Sequence, residues 1–219
     1  MKKLVRSNLA IKLVSLILTF AIIQLLIYFD IINDYLQATL ATICINIILA
    51  VSLNLITGFT GQFSLGHAGF MSIGAYACAL ITLRIPTIPG FILGVFAGAV
   101  AAALIGGLVG LPTLRLRGDY LAIATLGMSE IIRIVFLNLD NITNGAAGLQ
   151  DIPEFANWKW LFIYTAGTVL IISNYIRSSH GRACISIRED EIAAEAMGIN
   201  STKYKVIAFT IGAFFAGIA

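Results

Sequence analysis

Residues 90–111 read GFILGVFAGAVAAALIGGLVGL, an apolar run that contains no charged side chain. The run is long enough to cross a bilayer as one α-helix, which takes about 20 residues. Across the whole chain of 219 residues, 59% are hydrophobic and 11% are charged. Soluble domains carry about 25% charged residues, so this chain has too few polar side chains to cover a surface in water. The sequence therefore predicts an all-α fold, a polytopic bundle of transmembrane helices.

Small residues form a second pattern within the same run. Glycine or alanine recurs at every fourth position, and the six members of this small-residue stripe are Gly90, Gly94, Gly98, Ala102, Gly106 and Gly110. Small side chains allow another helix to approach closely in lipid, although glycine is also common in membrane helices generally. A step of four residues turns by about 400°, so the stripe winds around the helix and favours an obliquely crossing partner. We interpret it as a packing face.

Apolar runs elsewhere predict further spans, and backbone at membrane depth must satisfy its own hydrogen bonds within helices. The seven predicted spans lie at about 13–29, 35–57, 65–83, 90–111, 119–137, 160–176 and 206–219. The first is interpreted as an uncleaved span rather than a signal peptide, because its apolar run is long and lacks a small-residue cleavage site. The last is short, so we expect one transmembrane permease-like domain over 1–219 that is incomplete at its C-terminus.

Basic residues predict the orientation of these spans. With the N-terminus in the cytoplasm, eleven of the fourteen lysines and arginines fall on the cytoplasmic side, as the positive-inside rule requires. The loops at 112–118 and 177–205 then lie on that side. The net charge of +3 comes from residues near helix ends, so it does not indicate nucleic-acid binding.

A glycine-broken segment follows the second span, where residues 53–70 read LNLITGFTGQFSLGHAGF. Glycine lowers helix stability by about 1 kcal/mol, and irregular backbone at membrane depth occurs only inside protein or along a water-filled cavity. Transporters use such broken helices at substrate sites. An ordinary turn between two helices is the alternative. The candidate pathway residues are Gly58, Gly61, Gln62, Ser64, Gly66, His67 and Gly69.

Two ionisable residues, Glu130 and Arg133, lie near the middle of the fifth predicted span. Their spacing of three residues places them on one helix face, where they can pair. Ionisable groups at this depth usually face the protein interior or a water path. A pathway or gating pair and a structural ion pair both remain open. The scattered histidines and cysteines show no metal-ligand spacing, so no metal site is expected.

The loop at 177–205 is the longest one on the predicted cytoplasmic side. Residues 191–197 favour a short amphipathic helix, with Ile192, Ala193, Ala196 and Met197 on one face. Gly198 is placed to end that helix, and Asn200 is placed to cap the next one. The pattern is typical either of a surface that docks on another protein or of a solvated connector.

Three blocks of the chain resemble bacterial ABC permeases for branched-chain amino acids. They are LITGFTGQFSLGHAGFMSIGAY (55–76), LRLRGDYLAIATLGMSEIIRIVF with TNGAAGL (114–149), and the stretch from 181 to 219. The segment TGQFSLGHAGF resembles the M-type subunit rather than its H-type partner. The resemblance implies a permease subunit of an importer that works by alternating access in the bacterial plasma (inner) membrane.

The resemblance also implies the partners of this chain. They are an H-type permease subunit, two cytoplasmic ATPase subunits and an external substrate-binding protein, with no nucleic acid. ATP would be used by the partners, because this chain lacks the Gly-x-x-x-x-Gly-Lys-Ser/Thr phosphate loop, and we expect no cofactor and no catalytic residue. Ile192 stands where ABC importers commonly carry an acidic residue. The implied ATPase-coupling residues are Gly181, Arg182, Arg188, Glu189, Asp190, Glu191, Ala193, Ala194, Glu195 and Gly198.

Other functions remain open at this point. The same architecture could import urea, short amides or other amino acids. A stand-alone channel or a proton-coupled carrier would use His67, Glu130 and Arg133 as a relay. An integral-membrane enzyme has no support, since no nucleophile and base are paired in the sequence.

Overall fold

The computed structural model describes residues 2–29, 31–114, 116 and 118–219, with side chains described at residue 14 and from residue 16 onward. Helices make up the regular structure of this part of the chain, which contains no strand. The helices are α1 (Lys2–Tyr28), α2 (Asp34–Asn54), α3 (His67–Arg84), α4 (Ile88–Thr113), α5 (Asp119–Asn138), α6 (Asp140–Thr143), α7 (Trp158–Arg177), α8 (Ser179–Glu189), α9 (Glu191–Ala196) and α10 (Ser201–Ile218). A π-helical turn spans Leu55–Phe59, and a 3-10 turn spans Gly145–Ala147.

Each of the seven predicted spans coincides with a long helix, so the prediction of an all-α bundle is confirmed. Within the described residues, three helical stretches are long and apolar enough to cross a membrane: Asp34–Phe59, Ile88–Thr113 and Asp119–Asn138. The full number of spans stays a prediction. So does the orientation, because Arg115 and Arg117, which it counts, lie outside the described residues, as do the side chains of residues 2–13.

The core lies where α3, α4 and α10 meet. Phe70 of α3 packs edge-to-face on Phe209 of α10 with ring centroids 5.5 Å apart, and Ala102 of α4 is fully buried beside them. A second cluster joins α2, α7 and α10 through Ile48, Ile172 and Phe215. Helix α10 belongs to both clusters, so it is the central helix of the described bundle.

The small-residue stripe of α4 contacts two helices in turn. A Cβ added to Gly98 would lie 2.7 Å from the carbonyl oxygen of Gly74 in α3. Further along, a Cβ added to Gly106 would lie 2.5 Å from the Cβ of Ala213 in α10. Because the stripe winds around α4, its first half faces α3 and its second half faces α10. Gly90 differs, since its nearest neighbour is the carbonyl oxygen of Ile85 just before the same helix.

The loop at 177–205 is more ordered than the sequence predicts. Residues 191–197 were expected as its one short helix, and α9 confirms that helix, but α8 occupies the preceding eleven residues as well. Helix α8 forms because Ser178 caps its first turn and because Ala183, Cys184 and Ile187 are buried against the bundle. The predicted connector is therefore largely helical and packed on the protein.

Capping residues fix the ends of the following two helices. The Asp190 carboxylate accepts hydrogen bonds from the amides of Ile192 and Ala193, at 2.9 and 3.0 Å, and so begins α9. The Asn200 side chain accepts from the Lys203 amide at 2.9 Å and begins α10, as the sequence predicts. Gly198 lies between them with φ +83°, a left-handed conformation that glycine adopts without strain. These caps hold α9 as a distinct short element beside the bundle.

Candidate functional site

The glycine-broken segment begins where α2 changes to a π-helical turn and ends where α3 starts at His67. Gly61 has φ +68°, so the chain leaves the helical path there at a residue without a Cβ. The Gln62 amide then turns back to donate to the Ile56 carbonyl at 3.1 Å. Irregular backbone therefore lies at this end of the bundle, between the π-helical turn and α3.

The polar side chains of this segment are buried. Gln62, Ser64 and His67 are each less than a tenth exposed. The Nε2 atom of His67 lies 2.8 Å from the Ser52 hydroxyl of α2, whereas its Nδ1 has no hydrogen-bond partner. His67 thus joins the start of α3 to α2.

Helix α5 covers the other side of the segment. The Leu65 amide donates to the Thr125 hydroxyl at 3.1 Å. A Cβ added to Gly66 would lie 2.5 Å from the Thr125 carbonyl oxygen, and one added to Gly69 would lie 3.0 Å from the Ser129 Cα. Gly66 and Gly69 therefore allow the backbone of this segment and that of α5 to approach closely, independently of any role in a pathway.

Gln62 is the one buried side chain of the segment whose polar atoms both lack a hydrogen-bond partner. It is 3% exposed and lines a cavity of about 250 Å³ that lies between the segment, the end of α8 and the start of α10. Burying an unpaired polar group costs about 1–3 kcal/mol. A change in conformation that gave this carboxamide a hydrogen-bond partner would remove that cost.

Arg188, at the end of α8, connects the predicted coupling loop to the glycine-broken segment. Its Nη1 donates to the Gly58 carbonyl at 2.8 Å, and its stem covers Gly61, where an added Cβ would lie 3.0 Å from the Arg188 Cγ. Its Nε donates to Glu189 at 3.0 Å. The sequence placed Arg188 and Gly58 in separate candidate sites. No sequence signal joins these residues, which lie 130 positions apart.

Helix α9 is held on its inner side and exposed on its outer side. Ala194 is buried, and Glu191 forms an ion pair at 2.6 Å with the Nζ of Lys205, which is itself mostly buried. Glu195 accepts a hydrogen bond from the Ser201 hydroxyl. Ile192 and Met197, in contrast, are 74% and 83% exposed. A short helix anchored in this way presents an apolar outer face.

The remaining predicted coupling residues have distinct surroundings. Gly181 lies against the backbone of Ile176, where an added Cβ would be 2.2 Å from the carbonyl oxygen. Arg182 is exposed and donates to the Arg177 carbonyl at 3.1 Å. Ala193 lies on the exposed side of α9. Of the predicted set, Arg188 is thus the residue that reaches the glycine-broken segment.

Glu130 and Arg133 pair with each other on α5. The Arg133 Nε lies 3.0 and 2.9 Å from the two carboxylate oxygens of Glu130. Their side chains are at least half exposed, among exposed apolar residues such as Leu126 and Ile131. On a membrane-spanning helix, an ion pair in such a position needs contact with protein or water rather than lipid. The structure does not bring the pair to Gln62 or His67, since α5 contacts that segment through Thr125 and Ser129.

A larger cavity, of about 650 Å³, lies at the opposite end of the bundle. Its walls are mainly apolar and include Met71, Phe91, Trp160 and Tyr164, together with residues 152–157 of the loop before α7. The sequence did not predict this cavity, because its lining comes from five helices and a loop. Among the described residues, no group of three or more His, Cys, Asp or Glu could hold a metal ion.

A bundle of helices that includes three long and apolar enough to cross a membrane defines a helical membrane protein. The chain belongs to the family of permease components of branched-chain amino acid transport systems, whose model matches residues 35–219. The chain is therefore a membrane protein, and its family consists of transport permeases.

Individual relatives agree with this assignment. The chain is 37% identical to the high-affinity branched-chain amino acid transport system permease protein LivM of Salmonella typhimurium and to that of Escherichia coli K12, over 80% of this chain and 49% of theirs. It is 26% identical to the permease protein LivH of Escherichia coli K12, over 78% of this chain and 64% of that one. The predicted resemblance to the M-type subunit is confirmed.

The chain spans about half the length of the LivM proteins it matches. No solved structure gives a significant match to it.

Proposed function

We propose that this chain is a transmembrane permease subunit of an ATP-driven importer for the branched-chain amino acids leucine, isoleucine and valine. Its family and the names of its LivM relatives support this cargo. The subunit pairs with an H-type permease subunit in the bacterial plasma (inner) membrane, with its N-terminus in the cytoplasm. Two cytoplasmic ATPase subunits use the ATP, and an external binding protein delivers the amino acid.

The geometry of α9 is the observation that supports an ATPase partner. The Glu191–Lys205 ion pair and the buried Ala194 hold its inner side, while Ile192 and Met197 offer an exposed apolar surface. Exposed apolar side chains on a firmly held element favour docking to another protein. Helix α9 therefore serves as the ATPase-docking helix, within the cytoplasmic coupling loop at 177–205.

Transport then follows from alternating access. The binding protein and the nucleotide act from opposite sides, and each shifts the permease only by its different affinity for the two states. Irregular backbone lined with Gln62, Ser64 and His67 provides polar groups inside the protein, where a broken helix serves a pathway. Glu130 and Arg133 face a water path or a neighbouring helix of the complex, because lipid contact would be costly.

Uptake of labelled substrate by vesicles tests this function directly. The vesicles carry the full-length subunit with its H-type partner, both ATPases and the binding protein, and leucine is compared with urea in the presence and absence of ATP. We expect leucine uptake that requires ATP. Urea uptake that requires ATP, without leucine uptake, would keep the mechanism and change the cargo. Uptake of either compound without ATP would favour a channel or a proton-coupled carrier.

A further inference from the structure

We propose that Arg188 is a positioning residue that transmits movement of α9 to the glycine-broken segment. The inference rests on the proposed function, since it takes α9 as the element that the ATPase moves. It assigns a role to a contact between two regions that the sequence treats as separate. Arg188 touches no substrate in this role and acts through the backbone at Gly58 and Gly61.

The contact itself is specific. The π-helical turn ends close to Gly58, and the Gln62 amide donates to the Ile56 carbonyl instead of continuing the helix. The Gly58 carbonyl therefore lies near a helix end, where carbonyl groups need outside donors. The Arg188 guanidinium supplies that donor at 2.8 Å, and a charged donor makes a stronger hydrogen bond than a neutral one.

The connection from Arg188 to α9 is short. Arg188 lies in the last turn of α8, and Asp190, two residues later, caps α9 through the amides of Ile192 and Ala193. Glu189, between them, holds the guanidinium through the Arg188 Nε. A displacement of α9 must therefore move Arg188 or break its bond to Gly58, because no flexible linker separates the two.

The unpaired Gln62 side chain favours a second conformation of the glycine-broken segment, and the neighbouring cavity leaves space for it. Both polar atoms of the buried Gln62 side chain lack partners, and Gln62 is one of the residues that line the cavity of about 250 Å³ beside Arg188. A rearrangement that gives Gln62 a partner would be favoured by the cost of burying it unpaired. Gly61, under the Arg188 stem, is the residue whose left-handed backbone sets the path of this segment. Coupling between two sites requires an element with two arrangements, and this segment has the features of one.

Three variants of the full complex test the inference: Arg188→Ala, Arg188→Gln and the control Arg84→Ala. Arg84 lies in the last turn of α3 and is also an exposed arginine, but it belongs to none of the candidate sites. The measured quantities are complex assembly, ATP hydrolysis stimulated by the loaded binding protein, and leucine uptake per ATP. A fourth readout follows the segment itself, through the labelling rate of Ser64→Cys with and without trapped nucleotide, since Ser64 is 4% exposed.

We expect Arg188→Ala to assemble and hydrolyse ATP, with uptake per ATP reduced by about tenfold, as loss of one charge-assisted hydrogen bond implies. Labelling of Ser64→Cys should then no longer respond to nucleotide. Arg188→Gln keeps much of the stem over Gly61 but loses the charge, so we expect a similar though smaller effect. Arg84→Ala should match the wild type in all four measurements.

The outcomes separate this inference from the proposed function. An assembled Arg188 variant with wild-type uptake per ATP and wild-type labelling overturns the inference. Failure of both Arg188 variants to assemble also overturns it, because Arg188 would then serve folding alone. The proposed function fails differently, through absence of ATP-dependent leucine uptake in the wild-type complex, while nucleotide-dependent labelling of Ser64→Cys still reports whether Arg188 transmits movement.

Discussion

Gly74→Ala gives the sharpest test of how the bundle packs. Gly74 of α3 meets Gly217 of α10, and an added Cβ would lie 2.1 Å from the Gly217 carbonyl oxygen and 2.6 Å from its Cα. On another side of Gly74, a Cβ added to Gly98 of α4 would lie 2.7 Å from the Gly74 carbonyl oxygen. Three helix backbones thus meet at one point, and all of these clashing atoms belong to backbone.

The expected cost of Gly74→Ala follows from these distances. Non-bonded atoms are most stable about 3.5 Å apart, so α3 and α10 would have to separate by roughly 1 Å. Overpacking of this kind costs about 1–3 kcal/mol, and more when backbone must shift. The higher helix propensity of alanine offsets about 1 kcal/mol of that cost. The net loss in the free energy of unfolding therefore lies at about 0–2 kcal/mol. We expect the upper end, about 2 kcal/mol, because α4 packs on the same junction of α3 and α10.

Thermal denaturation of the detergent-solubilised protein measures this effect. A loss of about 2 kcal/mol corresponds to a midpoint lower by about 4–8 °C in a protein of this size. Gly127→Ala on α5 and Gly167→Ala on α7 are matched controls, since a Cβ at either position meets nothing within 4 Å. Both controls should denature at or slightly above the wild-type temperature. A midpoint for Gly74→Ala equal to that of the controls would refute the close approach of α3 and α10.

Three further predictions concern the surface, the ion pair and the cysteines. In the assembled complex, a cysteine at Met197 should crosslink to the ATPase. A cysteine at Ala194 should not, because Ala194 faces the bundle. The reverse pattern would contradict docking on the outer face of α9. The double variant that replaces both Glu130 and Arg133 with alanine should lose less stability than the sum of the single variants, by at least about 0.5 kcal/mol, and additive losses would show that the pair is not coupled. Burial raises the pKa of the Cys184 thiol. Maleimide at neutral pH should therefore label a cysteine at Met197 much faster than Cys184. Comparable labelling rates would show that α8 is not packed as described.

Helix packing in this protein shows what the periodicity of small residues predicts and what it does not. The four-residue recurrence of small residues predicts that α4 packs closely along its length, and the contact distances at Gly98 and Gly106 agree with close packing. The sequence did not reveal that the stripe faces two helices. The partner of each position depends on how α3 and α10 cross α4, which is a property of the assembled bundle.

The segment from 177 to 205 shows the limit of local sequence signals. Asn200 and Gly198 were identified because capping and left-handed turns depend on a few neighbouring residues. Helix α8 was missed, because its mixture of charged, small and apolar residues is typical of a connector until Ala183 and Cys184 are buried against the bundle.

The sequence by itself determined that this protein is a bundle of membrane-spanning helices. Long apolar runs permit little except helices, because lipid offers the backbone no hydrogen-bond partners. Tertiary structure alone decided that Arg188 binds the Gly58 carbonyl, that Gln62 is buried without a partner, and that a large cavity opens at the far end. Those features depend on contacts between residues far apart in the chain, and such contacts are set by the packing of whole helices rather than by local pattern.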